Sequence, residues 1–200
     1  MKIAILGWGS LCWDYASLLL PQTTMDEVEW IKTPIELPLN CSRISDEGKG
    51  RLTIVIDEQT GIVQPVYALI QKVQNPNVLF ERLRKREGTS KKGIGSCWIV
   101  ENKQIRPQSR HHFFNQSKIQ AQMEQFAQDH QVKCILWTDL GSNFQEITQK
   151  TPTVTNMLHY LDKLRKENTD VYRVAIMYLY LCDRLNHLRI PIFDVLFKKG

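Results

Sequence analysis

The period at which apolar residues recur changes along this chain. Short runs at strand spacing fill the first two-thirds, and helical spacing takes over after about residue 150. Ile3-Ala-Ile-Leu6 reads as a buried strand that stops at Gly7-Trp-Gly9. Residues 15–20 form a short helix or turn before Pro21. Residues 30–42 contain Pro34 and Pro38 but alternate at Ile35, Leu37 and Leu39, which predicts a bent edge strand. Residues 51–57 and 62–73 are strand-like and flank Glu58-Gln-Thr-Gly61, which predicts a hairpin. Pro76 opens a predicted helix that runs through Glu87, with Val78, Leu79 and Leu83 facing inward and Phe80 as a further candidate. Gly88, Gly93 and Gly95 end it, and a strand resumes over 97–100. Residues 115–130 place Ile119, Met123, Phe126 and Ala127 on one helical face, and 133–138 is another buried strand.

Thr151 is the expected N-cap of a following helix with Pro152 at its first position, and Met157, Tyr160, Leu161 and Leu164 continue at helical spacing. Residues 172–185 are apolar on nearly all sides, which predicts a helix buried between the sheet and other elements. The expectation is a single α+β domain over 1–200, with a mixed, curved or barrel-like sheet and a helical C-terminal third.

Composition narrows the function classes. A length of 200 residues, 42% hydrophobic and 24% charged, suits one well-buried globular domain. The formal net charge of +5 has a local source: Arg82, Arg84, Lys85, Arg86, Lys91 and Lys92 lie close together, and Lys198 and Lys199 sit near the end. Such a cluster is either a solvated helix face or an attractor of anions. It lacks the interleaved aromatic residues of single-strand binders, which counts against nucleic acid as a partner. The five cysteines are scattered without a C-x-x-C pair, and no signal peptide is apparent; the expectation is a reducing, cytoplasmic setting. Apolar stretches fall short of the ~20 residues a membrane span needs. The adjacent His111 and His112 point to opposite faces of an extended segment and cannot easily chelate one metal, so a surface loop is the expectation there.

Two segments carry candidate chemistry. At the end of the first strand, Gly7-Trp8-Gly9-Ser10-Leu11 can expose backbone N–H groups to an anion or a developing oxyanion, or it can be a plain tight turn. A third glycine at dinucleotide-fingerprint spacing is missing, so a Rossmann site is excluded. Further on, Leu83-Arg-Lys-Arg-Glu87-Gly88 closes a helix with a carboxylate.

In this order, a strand and Gly-Ser-Leu turn, then strands, then a helix ending in Arg-Glu, the first 105 or so residues resemble the γ-glutamylcyclotransferase fold family. Trp8-Gly9-Ser10-Leu11 stands where that family has Tyr-Gly-Ser-Leu, and Asn40-Cys-Ser-Arg43 resembles its arginine-bearing strand. The resemblance implies a sheet of the γ-glutamylcyclotransferase type over 1–105, with 106–200 packed on it. It also implies an amino-acid-like small-molecule substrate, Glu87 as general acid and base, and oxygen-binding donors on the backbone of Gly9, Ser10 and Leu11. Arg43 would clamp a substrate carboxylate. No cofactor is implied. Two departures change the pocket and with it the substrate: Trp8 lacks a phenol, and Lys92-Gly-Ile-Gly-Ser-Cys97-Trp98 lacks the tyrosine the family carries after its glutamate.

Plainer readings stand beside these. Glu87 could be a surface ion pair, and Arg43 could pair with Asp46 or Glu47. Cys12 or Cys97 could be a nucleophile, although no histidine is near either in sequence. Asp139 and Asn143 could line a pocket or cap a turn. A non-catalytic small-molecule-binding or regulatory module using Trp8, Trp98 and Trp137 is the alternative from another class, and an interaction protein using 82–92 is a third.

Overall fold

The computed structural model describes residues 1–21, 28–46, 50–99, 105–186 and 188–197. Lys198, Lys199, Glu47 and Val100 therefore lie outside the described residues. The fold is α+β, with a seven-stranded mixed sheet and six helices. The strands are β1 (Lys2–Gly7), β2 (Trp30–Ser45), β3 (Arg51–Ile56), β4 (Ile62–Lys72), β5 (Ile94–Ile99), β6 (Ile105–Gln108) and β7 (Val132–Thr138). The helices are α1 (Asn77–Arg86), α2 (Ser117–His130), α3 (Phe144–Thr148), α4 (Val154–Glu167), α5 (Thr169–Asn186) and α6 (Pro191–Phe197), four of them in the C-terminal third.

Sheet order is β3-β2-β4-β1-β7-β5-β6, which corrects three expectations. The sheet is open, with β3 and β6 at its ends, and does not close into a barrel. β2 is an interior strand, not an edge. It tolerates its prolines because the pairing with β3 starts only at Leu39↔Ile56, beyond Pro34 and Pro38. Between Asn40 and Arg43 the register shifts by a bulge. The expected hairpin is also absent: both of its strands form, but β2 lies between them. The link over 57–61 is curled by its own side chains. Asp57 donates its N–H to the Pro38 carbonyl (2.8 Å), and its carboxylate accepts from the Gln59 and Thr60 amides (3.0 Å each). This Asx-type turn carries the chain away from β3.

Chain contacts divide the molecule into two compact units, 1–37 with 65–140 and 38–64 with 141–200. In the first unit β1 runs antiparallel to β4 and parallel to β7, so Ile3, Ala4, Ile5 and Leu6 are fully buried. Burial on both faces explains why this strand reads as an unbroken apolar run. On one side, Ile3, Ile5, Leu69 and Leu136 form a core with Leu79 and Leu83 of α1. Val78, expected to face inward, is exposed; Phe80 packs partly against the core. α2 packs against β7 and buries all four residues of its predicted stripe.

In the second unit α5 packs on β3 and on α4 and α6. Tyr178 of α5 accepts a hydrogen bond from the Ile54 amide of edge strand β3 (3.3 Å). Helix α4 starts two residues later than expected: Thr153 is its N-cap, accepting from the Asn156 amide (3.3 Å), and Thr151 stays outside. α5 is not buried all round, since Val174, Met177, Tyr180 and Leu185 are exposed. Among the described residues no helix is long and apolar enough to cross a membrane.

Candidate functional site

Both candidate segments lie in the first unit. Leaving β1, Trp8 is extended and Gly9 takes φ 57°, a left-handed conformation that glycine adopts without steric cost. Residues Gly9–Cys12 then form a 3-10 turn. Its i→i−3 pattern uses the Leu11 amide on the Trp8 carbonyl. The Ser10 carbonyl accepts from the Trp13 and Asp14 amides (3.2 and 2.8 Å), which fixes the turn. Trp8 and Leu11 are core side chains, 7% and 3% exposed, so Ser10 alone in this segment offers a polar side chain.

Helix α1 delivers the carboxylate. Its C-terminus is a Schellman motif: the Thr89 amide reaches the Arg84 carbonyl (3.1 Å), the Gly88 amide reaches that of Lys85 (3.2 Å), and Gly88 has φ 57°. This closure holds Glu87 at the C-cap rather than letting it fray into solvent. Its side chain is 14% exposed, against 13% for that of Arg86.

Arg86 joins the two segments. Its Nη1 donates to Glu87 Oε1 (2.5 Å), its Nη2 to Ser10 Oγ (3.0 Å) and its Nε to the Asp14 carbonyl (3.3 Å). Asp14 Oδ2 stands 3.6 Å from Nη2, but with that side chain 75% exposed the contact is weak. The second carboxylate oxygen, Glu87 Oε2, has no hydrogen-bond partner among the described residues. One guanidinium thus holds the Ser10 hydroxyl and a carboxylate whose other oxygen is unspent among the described residues.

The predicted residues separate accordingly. Ser10 and Glu87 are brought together, and Gly9 shapes the turn between them and β1. Trp8 and Leu11 anchor that turn in the core. Arg43 belongs to the second unit, where its Nη1 donates to the Gly141 carbonyl (3.1 Å) and no ion pair with Asp46 forms, while Glu47 lies outside the described residues. Arg86 is the residue the sequence reading passed over. The signal was present: an arginine directly before the glutamate at a helix end can fold back on both its neighbour and the nearest turn.

Three other candidates resolve differently. Burial pushes the Cys12 thiol up to about 12, the Arg86 charge offsetting only part of this, so the thiol stays protonated at neutral pH and is a poor nucleophile. Asp139 is buried and fully bonded, accepting from Ser109 Oγ (2.5 Å), the Arg110 amide (2.6 Å) and Trp137 Nε1 (2.8 Å). Asn143 lies in the second unit and pairs with strand β2, its amide oxygen accepting from the Ile44 N–H (2.7 Å) and its Nδ2 donating to the Ile44 carbonyl (3.0 Å). The basic cluster is half spent: Arg82 donates to the Ser17 carbonyl (2.9 Å), Arg84 to Glu81 and the Thr89 carbonyl, and Arg86 as described, while Lys85, Lys91 and Lys92 are exposed. No three metal-ligating side chains converge among the described residues. No family model, curated protein or solved structure matches the chain.

Proposed function

We propose that the chain is a small-molecule enzyme of the γ-glutamylcyclotransferase type, acting on a γ-glutamyl amine or amide or a related amino-acid-like substrate. The observation that supports this most is the shared guanidinium: Arg86 bonds one oxygen of the Glu87 carboxylate and the Ser10 hydroxyl at once. In this reading Glu87 Oε2 takes a proton from the substrate's α-ammonium, and the freed amine attacks its own side-chain carbonyl carbon. A new C–N bond closes the five-membered ring. The bond to the departing amine breaks as Glu87 returns the proton to that nitrogen, and the ring nitrogen's surplus proton then passes through Glu87 to the released amine, leaving the neutral lactam and an ammonium. The Ser10 amide receives the carbonyl oxygen while negative charge builds on it. Holding amine and carbonyl together is an effect of orientation and requires no covalent intermediate.

The test is direct. Incubation with γ-glutamyl dipeptides, glutathione and γ-glutamylamines should release 5-oxoproline, resolved by liquid chromatography. Glu87→Gln should lower that turnover ~10²-fold or more, and full activity in this variant would remove Glu87 from the mechanism.

A second reading is favoured by the same ion pair. A guanidinium already seated on Oε1 makes this carboxylate one half of an ion pair that holds two segments together, which suits a binding or regulatory module that performs no turnover. Thermal stabilisation by amino-acid-like ligands, with no product formed, would select this reading.

A further inference from the structure

Helix α5 has two unlike faces. One buries Val171, Ala175, Tyr178, Leu179 and Cys182. The other should be polar on a monomer, yet it presents Val174, Met177 and Tyr180 at 54%, 57% and 42% exposure. Five of the eleven large apolar side chains exposed among the described residues sit on α5 and α6. Beside this stripe, Tyr172, Ile176, Met177, Tyr180 and Phe197, with Arg173 as the one charged residue, line a mostly apolar groove of about 420 Å³. A concentration of this kind marks an interaction surface.

Charge placement on the stripe identifies the occupant. Asp170 and Arg184 bracket the apolar residues, with side chains 90% and 59% exposed. Among the described residues, Asp170 meets exposed Arg173 at 3.4 Å, and Arg184 meets Asp183 at 3.8 Å and lies 5.5 Å from the centre of the Tyr180 ring, all exposed contacts that a partner can exchange. Asp170, Val174, Met177, Tyr180 and Arg184 all lie within ~60° of Met177 around the helix, at ~100° per residue. They are also spaced symmetrically about Met177 along the sequence.

We propose that this face pairs with α5 of a second copy of the chain, antiparallel, about a twofold axis passing at Met177. In that arrangement Asp170 faces the partner's Arg184 at both ends, Val174 faces the partner's Tyr180, and Met177 meets its own counterpart. A parallel pairing would set Asp170 against the partner's Asp170 and is disfavoured. An unrelated partner or a lipid surface gives no reason for the symmetry, whereas a self-complementary patch is what a twofold homodimer requires. The flanking groove beside α6 extends the contact beyond a single helix.

Sedimentation velocity of the full chain, from ~1 to ~200 μM, should show a species of twice the 23.3 kDa chain mass. Met177→Glu places two carboxylates at the axis and should weaken dimerisation at least ~10-fold. Asp170→Arg and Arg184→Asp should each weaken it about 5-fold or more, and the two combined should restore it to within about 3-fold. All three positions are exposed, so unchanged circular dichroism melts separate loss of pairing from loss of fold. A chain that stays monomeric at every concentration, a dimer indifferent to Met177→Glu, or a double variant as weak as the single ones would each overturn the proposal. A monomer that floats with anionic vesicles would overturn it in favour of lipid. None of these outcomes depends on whether 5-oxoproline is formed.

Discussion

Glu87 and Asp139 are carboxylates in the same unit, each at the end of a regular element and each largely withdrawn from water, yet their surroundings are opposite. Asp139 spends both oxygens on donors from Ser109, Arg110 and Trp137, with the half-exposed Arg110 guanidinium a further 4.0 Å from Oδ2, and its own amide bonds the Gly93 carbonyl (2.8 Å). Glu87 has one charged partner on one oxygen and nothing on the other among the described residues. A carboxylate whose lone pairs are all used pins its neighbourhood and has nothing left to offer a ligand. One left half-satisfied costs stability unless something else makes use of it. The pair therefore separates a clasp from a candidate reactive group by counting acceptor sites, which charge and burial alone cannot do.

The contrast is sharpest where Asp139 is removed. Asp139→Ala strands an indole N–H, a serine hydroxyl and a backbone amide, and should cost about 3 kcal/mol, seen as a melting temperature lower by about 6–12 °C. If the loss were below about 1 kcal/mol, Asp139 would not be a clasp and the distinction would collapse. Next comes Arg86→Met, which removes the one partner the Glu87 carboxylate has among the described residues. We expect a loss of about 1–2 kcal/mol in a denaturant titration. Glu87→Gln keeps an oxygen that can accept from Arg86, so its stability cost should stay under ~1 kcal/mol. In the proposed reaction its effect falls instead on turnover.

The last effect is absent at neutral pH and appears only as alkaline stability. The folded Cys12 thiol titrates at about 12 against an ordinary value of 9.0, so above pH ~9 the unfolded chain gives up this proton first. Stability is then fully present below pH ~9 and declines as pH rises toward the folded value. Cys134, also pushed up to about 12 by burial, adds a slope of the same sign. Cys12→Ala should therefore flatten only part of the decline, read from melting temperatures across pH 8–11. An unchanged slope would mean that Cys12 is more hydrated than its surroundings imply.

How much of this was legible in the sequence depends on whether a feature is local. The stripe on α2 and the closure of α1 at Glu87 follow from spacing and from a glycine at the right place, and both are observed. Pairing is not local. Residues 51–57 and 62–73 look like hairpin partners because a short glycine-containing link joins them, but the Pro38 carbonyl captures the Asp57 amide and β2 takes the place between them. Likewise α5 reads as buried all round because periodicity averages an inner face with an outer one that is also apolar. Around the candidate site, glycines and the glutamate were visible, whereas Arg86 becomes significant only when a distant turn is brought to its side chain.

One detail of the sheet bears on behaviour at high concentration. Exposed strand ends invite neighbouring molecules to add strands without limit. At one end of this sheet, β6 contains Pro107, which has no N–H to offer an incoming strand. At the other, the Ile54 amide is already committed to the Tyr178 hydroxyl, and Ile56 bridges to Gly141. Both termini of the strand array are thus blunted against fibrillar growth, and Tyr178→Phe, which uncovers a backbone donor on β3, is the substitution with which solubility should first deteriorate.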